Sequence, residues 1–555
     1  MLRRLDLVLG IALILALVFS LYGIRWGRVE CWNRDQMALR GLHGLRPDTY
    51  VKPPFHTYLN HFMVLRPIAR AEFVSKKLLR RDVNLNEMRL LASRLLVVGM
   101  FLGTIALGFA VSRQAFGLFA ARVTALLFAT SAGFIEYDHF LSCDSPLLFW
   151  MMLTLFFAQR ITVRPEISNY VLAGFLTGLC TATKYNGLAV GITIVVAHFL
   201  SRNESSLRNL FLSRRLFLGL LMAPVGFIAG NPYAIFDWKK FSADFLYNYY
   251  VTPRFEGQTS GHGYGEFLTR IPELVGWPGT VLIAAAITMS IFIIIRRGDF
   301  RSPAAICFAL AASVFLVYYA KIGSFPRSQT RFTLPVAPFL ILMTGPFWRA
   351  MAARRQWISA LLVPVLLYNA VCCLFVGKRF SEDPRTDAQR WIVNHALRGC
   401  VLESNGEVPR WEKLPGLRMR ELDAANPKWD EARGYDAIDL RMPPVHGRYE
   451  LFSKMFQDDE WLRNYARKFE GEPDERLFTR EELLKRNPDF VSVYSTDYEI
   501  RNAAVRNYYS DLLQGRFPYD IVFDAQTIDS PRWVYPRDID FLRGRIIILA
   551  RRPGA

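Results

Sequence analysis

A polytopic α-helical membrane protein of about eleven spans, with a soluble α/β domain at its C-terminal end, is the fold class this sequence predicts. Three observations predict it. Of 555 residues, 52% are hydrophobic and 14% aromatic, which does not describe a string of soluble domains. The apolar residues are segregated: most uncharged stretches precede residue 380, and most acidic residues follow it. Arginines recur between the apolar stretches in an alternating pattern, as topology signals do.

A membrane-crossing helix needs about 20 mostly apolar residues. In order, the stretches that meet or approach this length are 5–24, 90–111, 116–135, 144–160, 169–183, 186–201, 213–231, 275–296, 302–320, 331–347 and 357–377. The first could be mistaken for a secretory signal. Its apolar run from Leu7 to Ile24 exceeds the usual signal core of about 7–15 residues, and no small-x-small cleavage site follows, so it reads as a retained span.

With Arg3 and Arg4 in the cytoplasm, every second short loop is expected to be arginine-rich. Those loops hold Arg113; Arg160 and Arg164; Arg202, Arg208, Arg214 and Arg215; Arg296, Arg297 and Arg301; and Arg349, Arg354 and Arg355. The shortest loops on the other side hold Lys184, Lys321, Arg327 and Arg331. Two longer outer segments, 26–89 and 232–274, are basic against this trend, and the rule weakens as loops approach about 60 residues. The expected organisation is a transmembrane part over 1–380, with a first large outer loop at 26–89, and an extracytoplasmic domain over 381–555.

That last part alternates helix and strand patterns. DPRTDAQRWIVNHAL has apolar residues at helical spacing, and DFVSVYS, YDIVFDA and RIIILA are β-branched and aromatic strand candidates. The net charge of +19 would suggest nucleic acid in a soluble protein, but here the cations sit at span ends, where they set topology and meet lipid phosphates; no nucleic-acid partner is expected. Seven cysteines form no metal-ligand spacing, and Cys180, Cys307, Cys372 and Cys373 lie inside apolar runs as small hydrophobes.

Ionisable residues near a bilayer edge mark function, and here they collect on the outer side. The first loop opens with CWNRDQMALRGL, holding Arg34 and Asp35, and continues to VKPPFHTYLNHF, where Pro53 and Pro54 bias Lys52 toward an extended backbone and Tyr58 follows. The fourth span is preceded by EYDHFLSCDSPLLFW, with Asp138, His139 and Asp144 at its mouth. Later outer segments add Lys184, GNPYAIFDW, and FPRSQTRFTLPVAPF with Arg327 and Arg331. Each has a plainer use: Asp144 as a helix N-cap, Lys52 and Arg331 as cations snorkelling to head groups, Asp35 in an exposed loop. His56, His61, His139 and His262 are weak metal-ligand candidates, since their spacing matches no tight motif. Jointly, carboxylates to take a proton and cations to hold an anionic leaving group suit a lipid-linked sugar phosphate.

The order of these features resembles the polyprenyl-phosphate-dependent glycosyltransferases of the GT-C fold, whose branches include the protein O-mannosyltransferases and the lipid A aminoarabinose transferase. The carriers are the acid-bearing first loop, Lys-Pro-Pro, the Asp before the fourth span, Thr-Lys at Lys184 and Arg-Phe-x-x-Pro-x-x-Pro at Arg331. The resemblance implies a GT-C-like membrane enzyme, an inverting glycosyltransferase of the bacterial inner membrane. It would take a sugar from a polyprenyl-phosphate donor and pass it to a lipid, glycan or protein acceptor on the extracytoplasmic face. It implies Asp35 as general base, Asp144 orienting base or acceptor, and Lys52, Arg331, Arg327 and Lys184 toward the donor phosphate. The sequence departs from the family at Gln36, where a second acidic residue is common, and at Val51, where the aminoarabinose branch has a metal-holding glutamate. No cofactor is assigned and a divalent metal is left open.

Two other classes remain at this stage. A transporter or flippase for a lipid-linked substrate would place polar groups at the bilayer midplane and show two similar halves, and no internal repeat is seen. A glycan ligase of similar architecture using a lipid-diphosphate donor would favour a late catalytic histidine, for which His262 stands.

Overall fold

The computed structural model describes residues 6–27, 45–47, 49–78, 85–201, 213–250, 263–325, 328–352, 355–395, 400–404, 418–421, 436–439, 475–494, 503–526, 530–537 and 544–554. Each apolar stretch read from the sequence contains helix. The first is α1 (Leu7–Leu21), which starts where the Asp6 carboxylate accepts from the Val8 and Leu9 amides. After the first loop come α2 (Phe55–Asn60), a π-helical turn (His61–Leu65) and α3 (Arg66–Leu78), then α4 (Asn86–Phe116), α5 (Leu118–Ala129), α6 (Ala132–Asp138), α7 (Asp144–Val163) and α8 (Ile167–Thr183). A 3-10 segment (Tyr185–Gly191) leads to α9 (Ile192–Leu200), followed by α10 (Arg214–Gly230), α11 (Tyr233–Phe236), α12 (Trp238–Tyr250), α13 (Tyr264–Thr269), α14 (Ile271–Arg297) and α15 (Pro303–Ile322). The last apolar part comprises α16 (Thr330–Thr333), α17 (Ala337–Met343), α18 (Gly345–Met351) and α19 (Arg355–Ser381).

Among the described residues, six helices are long and apolar enough to cross a membrane, or seven if the bent pair α5 and α6 is one span. Three others, Leu7–Leu21, Ile167–Thr183 and Tyr185–Leu200, are apolar but shorter. Two of the expected spans are broken. The stretch 116–135 bends by 55° between α5 and α6, and the stretch 331–347 is cut into α16, a 3-10 turn (Leu334–Val336), α17 and α18. Pro335, Pro338 and Pro346 start those pieces, since proline has no N–H to continue a preceding helix but fits a first turn.

After α19 the chain turns polar. α20 (Pro384–His395) packs against a six-stranded sheet of β1 (Val401–Ser404), β2 (Arg418–Glu421), β3 (Asp436–Asp439), β4 (Phe490–Tyr494), β5 (Tyr519–Gln526) and β6 (Arg545–Arg551), in the order β2-β3-β1-β4-β6-β5. The first four strands run parallel, and β6 joins β4 and β5 antiparallel. Strand alternation builds two layers: Val491, Val493, Ile547 and Leu549 meet Val505, Tyr508 and Leu512 of α22 (Ala503–Leu513) and Leu483 of α21 (Arg480–Arg486), while Ile546, Ile548 and Leu402 meet Ala388 and Ile392 of α20. A buried Glu403 on β1 accepts two hydrogen bonds from Arg486 and one from Tyr508 Oη.

Candidate functional site

Three parts of the chain bring cations to one buried carboxylate. Asp144 opens α7, with Cys143 in the N-cap position, so it is not the cap that its Ser-Pro context suggested. Its Oδ1 accepts from Lys184 Nζ at 2.5 Å, and the two side chains are only 3% and 14% exposed. Lys184 stands where α8 ends, in an extended conformation that stops the helix and aims the side chain back at α7. Asp144 also feels the charges of Arg331 and Lys52. Arg331 lies on α16, whose Thr330 and Thr333 are buried. Tyr318 of α15 accepts a hydrogen bond from Asn186 Nδ2 and lies in the field of both Asp144 and Arg331.

Lys52 is positioned by a clamp on the residues before it. The Asp244 carboxylate of α12 accepts from the Tyr50 amide at 2.7 Å and from Thr49 Oγ1 at 3.2 Å. Tyr185 Oη, next to Lys184, donates to the Tyr50 carbonyl at 2.6 Å, and Asn248 Nδ2 donates to the Val51 carbonyl. Asp237 accepts from Arg46 Nε at 3.0 Å, and Lys240 Nζ donates to the Pro47 carbonyl at 3.3 Å. The loop is thus held by its backbone, and Pro54 forms the N-cap of α2. Losing the acceptor of a buried amide costs about 1–3 kcal/mol. Asp244→Ala is therefore expected to destabilise the protein by about 1–3 kcal/mol, which thermal unfolding checks.

The other sequence candidates fall elsewhere. Asp138 is buried and accepts from Ser145 Oγ at 2.5 Å and Ser20 Oγ at 2.9 Å, joining α1, α6 and α7. His139 has Nδ1 2.7 Å from the Ile135 carbonyl and Nε2 2.8 Å from the Tyr22 carbonyl, and its ring stacks on Phe380 at 4.3 Å. Both ring nitrogens face backbone carbonyl oxygens, so neither points to another side chain. Tyr58 Oη donates to the Leu45 carbonyl at 2.9 Å within the first loop. His56 is fully buried on α2, without a hydrogen-bond partner among the described residues, and burial pushes its imidazole down to about 4. Among the described residues no three of His, Cys, Asp and Glu are grouped to hold a metal ion. Arg34, Asp35, His262 and Arg327 lie outside the described residues.

Two groups escaped the sequence reading. One is the clamp on Thr49–Val51, whose members Asp244 and Asn248 lie far along the chain in α12 and Tyr185 in the 3-10 segment. The other is Arg94, a fully buried cation in the middle of an apolar stretch. Its Nη1 donates to the Ile24 carbonyl at 2.5 Å and the Trp26 carbonyl at 2.6 Å, and its guanidinium lies 4.7 Å from the Trp26 ring. Trp26 Nε1 in turn donates to the His139 carbonyl at 2.9 Å. The start of the first loop is thereby pinned to the turn that leads into Asp144. A lone arginine within a span is the signal that could have found it.

The fold is similar to that of ArnT from Cupriavidus metallidurans bound to undecaprenyl phosphate, with 14% identity and a TM-score of 0.49 over 99% of this chain and 98% of that one. It is also similar to the Archaeoglobus fulgidus oligosaccharyltransferase complexed with Zn and sulfate, with 13% identity and a TM-score of 0.43 over 97% and 74% of the two chains. The arabinofuranosyltransferase AftD from mycobacteria gives 12% identity and a TM-score of 0.44 over 100% of this chain and 40% of that one. No curated protein matches the chain in sequence. Residues 84–229, which include both Asp144 and Lys184, match the family model described as dolichyl-phosphate-mannose-protein mannosyltransferase.

Proposed function

We propose that the protein is an integral-membrane, inverting glycosyltransferase that moves a sugar from a polyprenyl-phosphate donor to a lipid, glycan or protein acceptor on the extracytoplasmic face. The observation that carries this reading is the Lys184 ion pair to the buried carboxylate of Asp144, which also lies in the field of Lys52 and Arg331. Three half-buried cations around one carboxylate leave an excess of positive charge that a further anion can meet. A phosphate carried on a lipid tail has the charge and the location for that role.

In this reading the donor phosphate lies against Lys52 and Arg331, while Asp144 holds Lys184 and keeps the cluster in register. Asp35 takes the proton from the acceptor hydroxyl as its oxygen attacks the anomeric carbon. The bond between that carbon and the phosphate oxygen breaks, and the pair of electrons leaves on the polyprenyl phosphate. The cations meet the negative charge as it develops, which is where preorganised electrostatics act most strongly. The seat of the tail and the inversion follow from the resemblance to the polyprenyl-phosphate-dependent enzymes.

Turnover of defined undecaprenyl-phosphate sugars by the purified protein tests the reading. Asp35→Asn is expected to lower transfer by about 10²–10⁴, the range of general-base catalysis, with donor binding retained. Lys52→Ala is expected to weaken donor binding as well. Undiminished transfer by Asp35→Asn removes the base assignment, and movement of a lipid-linked sugar across a vesicle membrane without transfer favours a flippase.

A further inference from the structure

The segment Ser530–Arg537, between β5 and β6, leaves the sheet and enters the helical part. Val534 at its centre is fully buried in the main helical core. Four side chains from two helices grip the segment. Arg379 of α19 donates to Ser530 Oγ at 2.7 Å and to the Pro536 carbonyl at 2.6 Å, and Tyr368 Oη of α19 donates to the Trp533 carbonyl. Trp277 Nε1 of α14 donates to Tyr535 Oη at 2.7 Å, and the Glu273 carboxylate accepts from the Arg537 amide.

The two grips on α14 flank its break. Gly276 has a φ of 70°, which a side chain would strain, and a Cβ there would stand 2.6 Å from Tyr368 Cε1. The turn before the break is an elbow, and it backs the Arg331 segment. Arg270 Nη2 donates to the Ser328 carbonyl at 3.4 Å, and Thr333 Oγ1 donates to the Phe267 carbonyl at 3.5 Å. The other side of the elbow has no slack: a Cβ on Gly133 of α6 would stand 2.6 Å from Leu274 Cα. Glu273 is joined to the contact with Ser328 through its own amide, which donates to the Arg270 carbonyl at 3.1 Å.

We infer that Ser530–Arg537 is a strap by which the C-terminal domain sets the position of Arg331, with Glu273 and Tyr535 as positioning residues for the donor phosphate. The inference rests on the reading of Arg331 as a donor-phosphate cation. It gives the C-terminal domain a part in the reaction without requiring it to touch the reacting atoms.

The test measures affinity of the full-length protein in lipid nanodiscs for undecaprenyl phosphate, alongside thermal unfolding. Tyr535→Phe and Glu273→Gln are made in the parent and in Arg331→Ala. Each is expected to weaken lipid-phosphate binding by about three- to tenfold in the parent and to cause no further loss once Arg331 is gone, as coupled residues do. Equal losses in both backgrounds overturn the proposal, as does a lowered melting temperature with unchanged affinity, which marks a purely structural strap. Should Glu273→Gln fail to fold, Tyr535→Phe removes only a hydroxyl and carries the test alone. If Arg331→Ala itself binds as well as the parent, the donor-phosphate reading fails and the strap's role in it fails too, by a route the double variants make distinct.

Discussion

Asp144→Ala is expected to abolish transfer and to cost the protein about 3–5 kcal/mol of stability, the range for removing one partner of a buried ion pair. The pair is short, at 2.5 Å, and almost fully sheltered. Taking away the carboxylate leaves Lys184 in a place where its charge is poorly solvated, with Lys52 and Arg331 repelling it. The cluster then opens, and the donor phosphate loses the arrangement that would receive it. Asp144→Asn keeps the shape and isolates the charge term, so it should fold better than the alanine variant and still transfer poorly. The pair Asp144→Leu with Lys184→Met offers the sharper contrast. Replacing both charges by apolar groups of similar size should recover most of the stability and none of the activity. Thermal unfolding in detergent and single-turnover transfer check the two quantities separately. An Asp144→Ala protein that melts and turns over like the parent would show that the pair behaves as a surface contact and that the site lies elsewhere.

Much of the architecture was legible because membrane burial writes long, simple signals. Runs of apolar residues near the length of a bilayer, and the β-branched run in RIIILA, give helix and strand directly. Lys52, Asp144, Lys184 and Arg331 were legible as well, since each is an ionisable residue at the edge of such a run. What the pattern could not convey is contact made through backbone. Asp244 meets Lys52's loop at the Tyr50 amide, and an amide is present at every residue, so no side-chain pattern marks that partner. The strap was hidden for a related reason: SPRWVYPR reads as a proline-rich loop, and only the burial of Val534 distinguishes it. The partners of Asp138 were hidden too: the sequence puts an acid at the mouth of a span, and the folded chain adds Ser20 and Ser145 as its donors. Serine hydroxyls are short and common in such helices, so their aim is set by packing that only the folded chain possesses.

Gly178→Leu is expected to leave no folded protein, and Gly178→Ala to lose more than the roughly 1–3 kcal/mol usual for an overpacked core. Helices α8 and α10 touch backbone to backbone. A Cβ on Gly174 would stand 1.8 Å from the Gly219 carbonyl oxygen, one on Gly178 would stand 2.2 Å from that of Ala223, and one on Gly226 would stand 2.1 Å from that of Phe175. Within a bilayer, apolar side chains gain little by meeting one another instead of lipid, so association depends on such close approach. The obstructing atoms are main-chain oxygens, and no rotamer change can move them aside. The helices must separate, and α8 leads directly into Lys184 while α10 leads into Asn231. Even a small separation draws Lys184 away from Asp144, so the Gly178→Ala protein should lose transfer at temperatures where it is still folded. Gly10 provides the control, because a Cβ there meets nothing within 4 Å, and Gly10→Ala should match the parent in melting and in turnover. Folded yield by size exclusion, followed by melting curves and transfer rates for the three variants, decides the matter. Parent-like melting of Gly178→Ala would mean that the two helices pack less closely than these distances require, and the rigid link from their crossing to Lys184 would go with it.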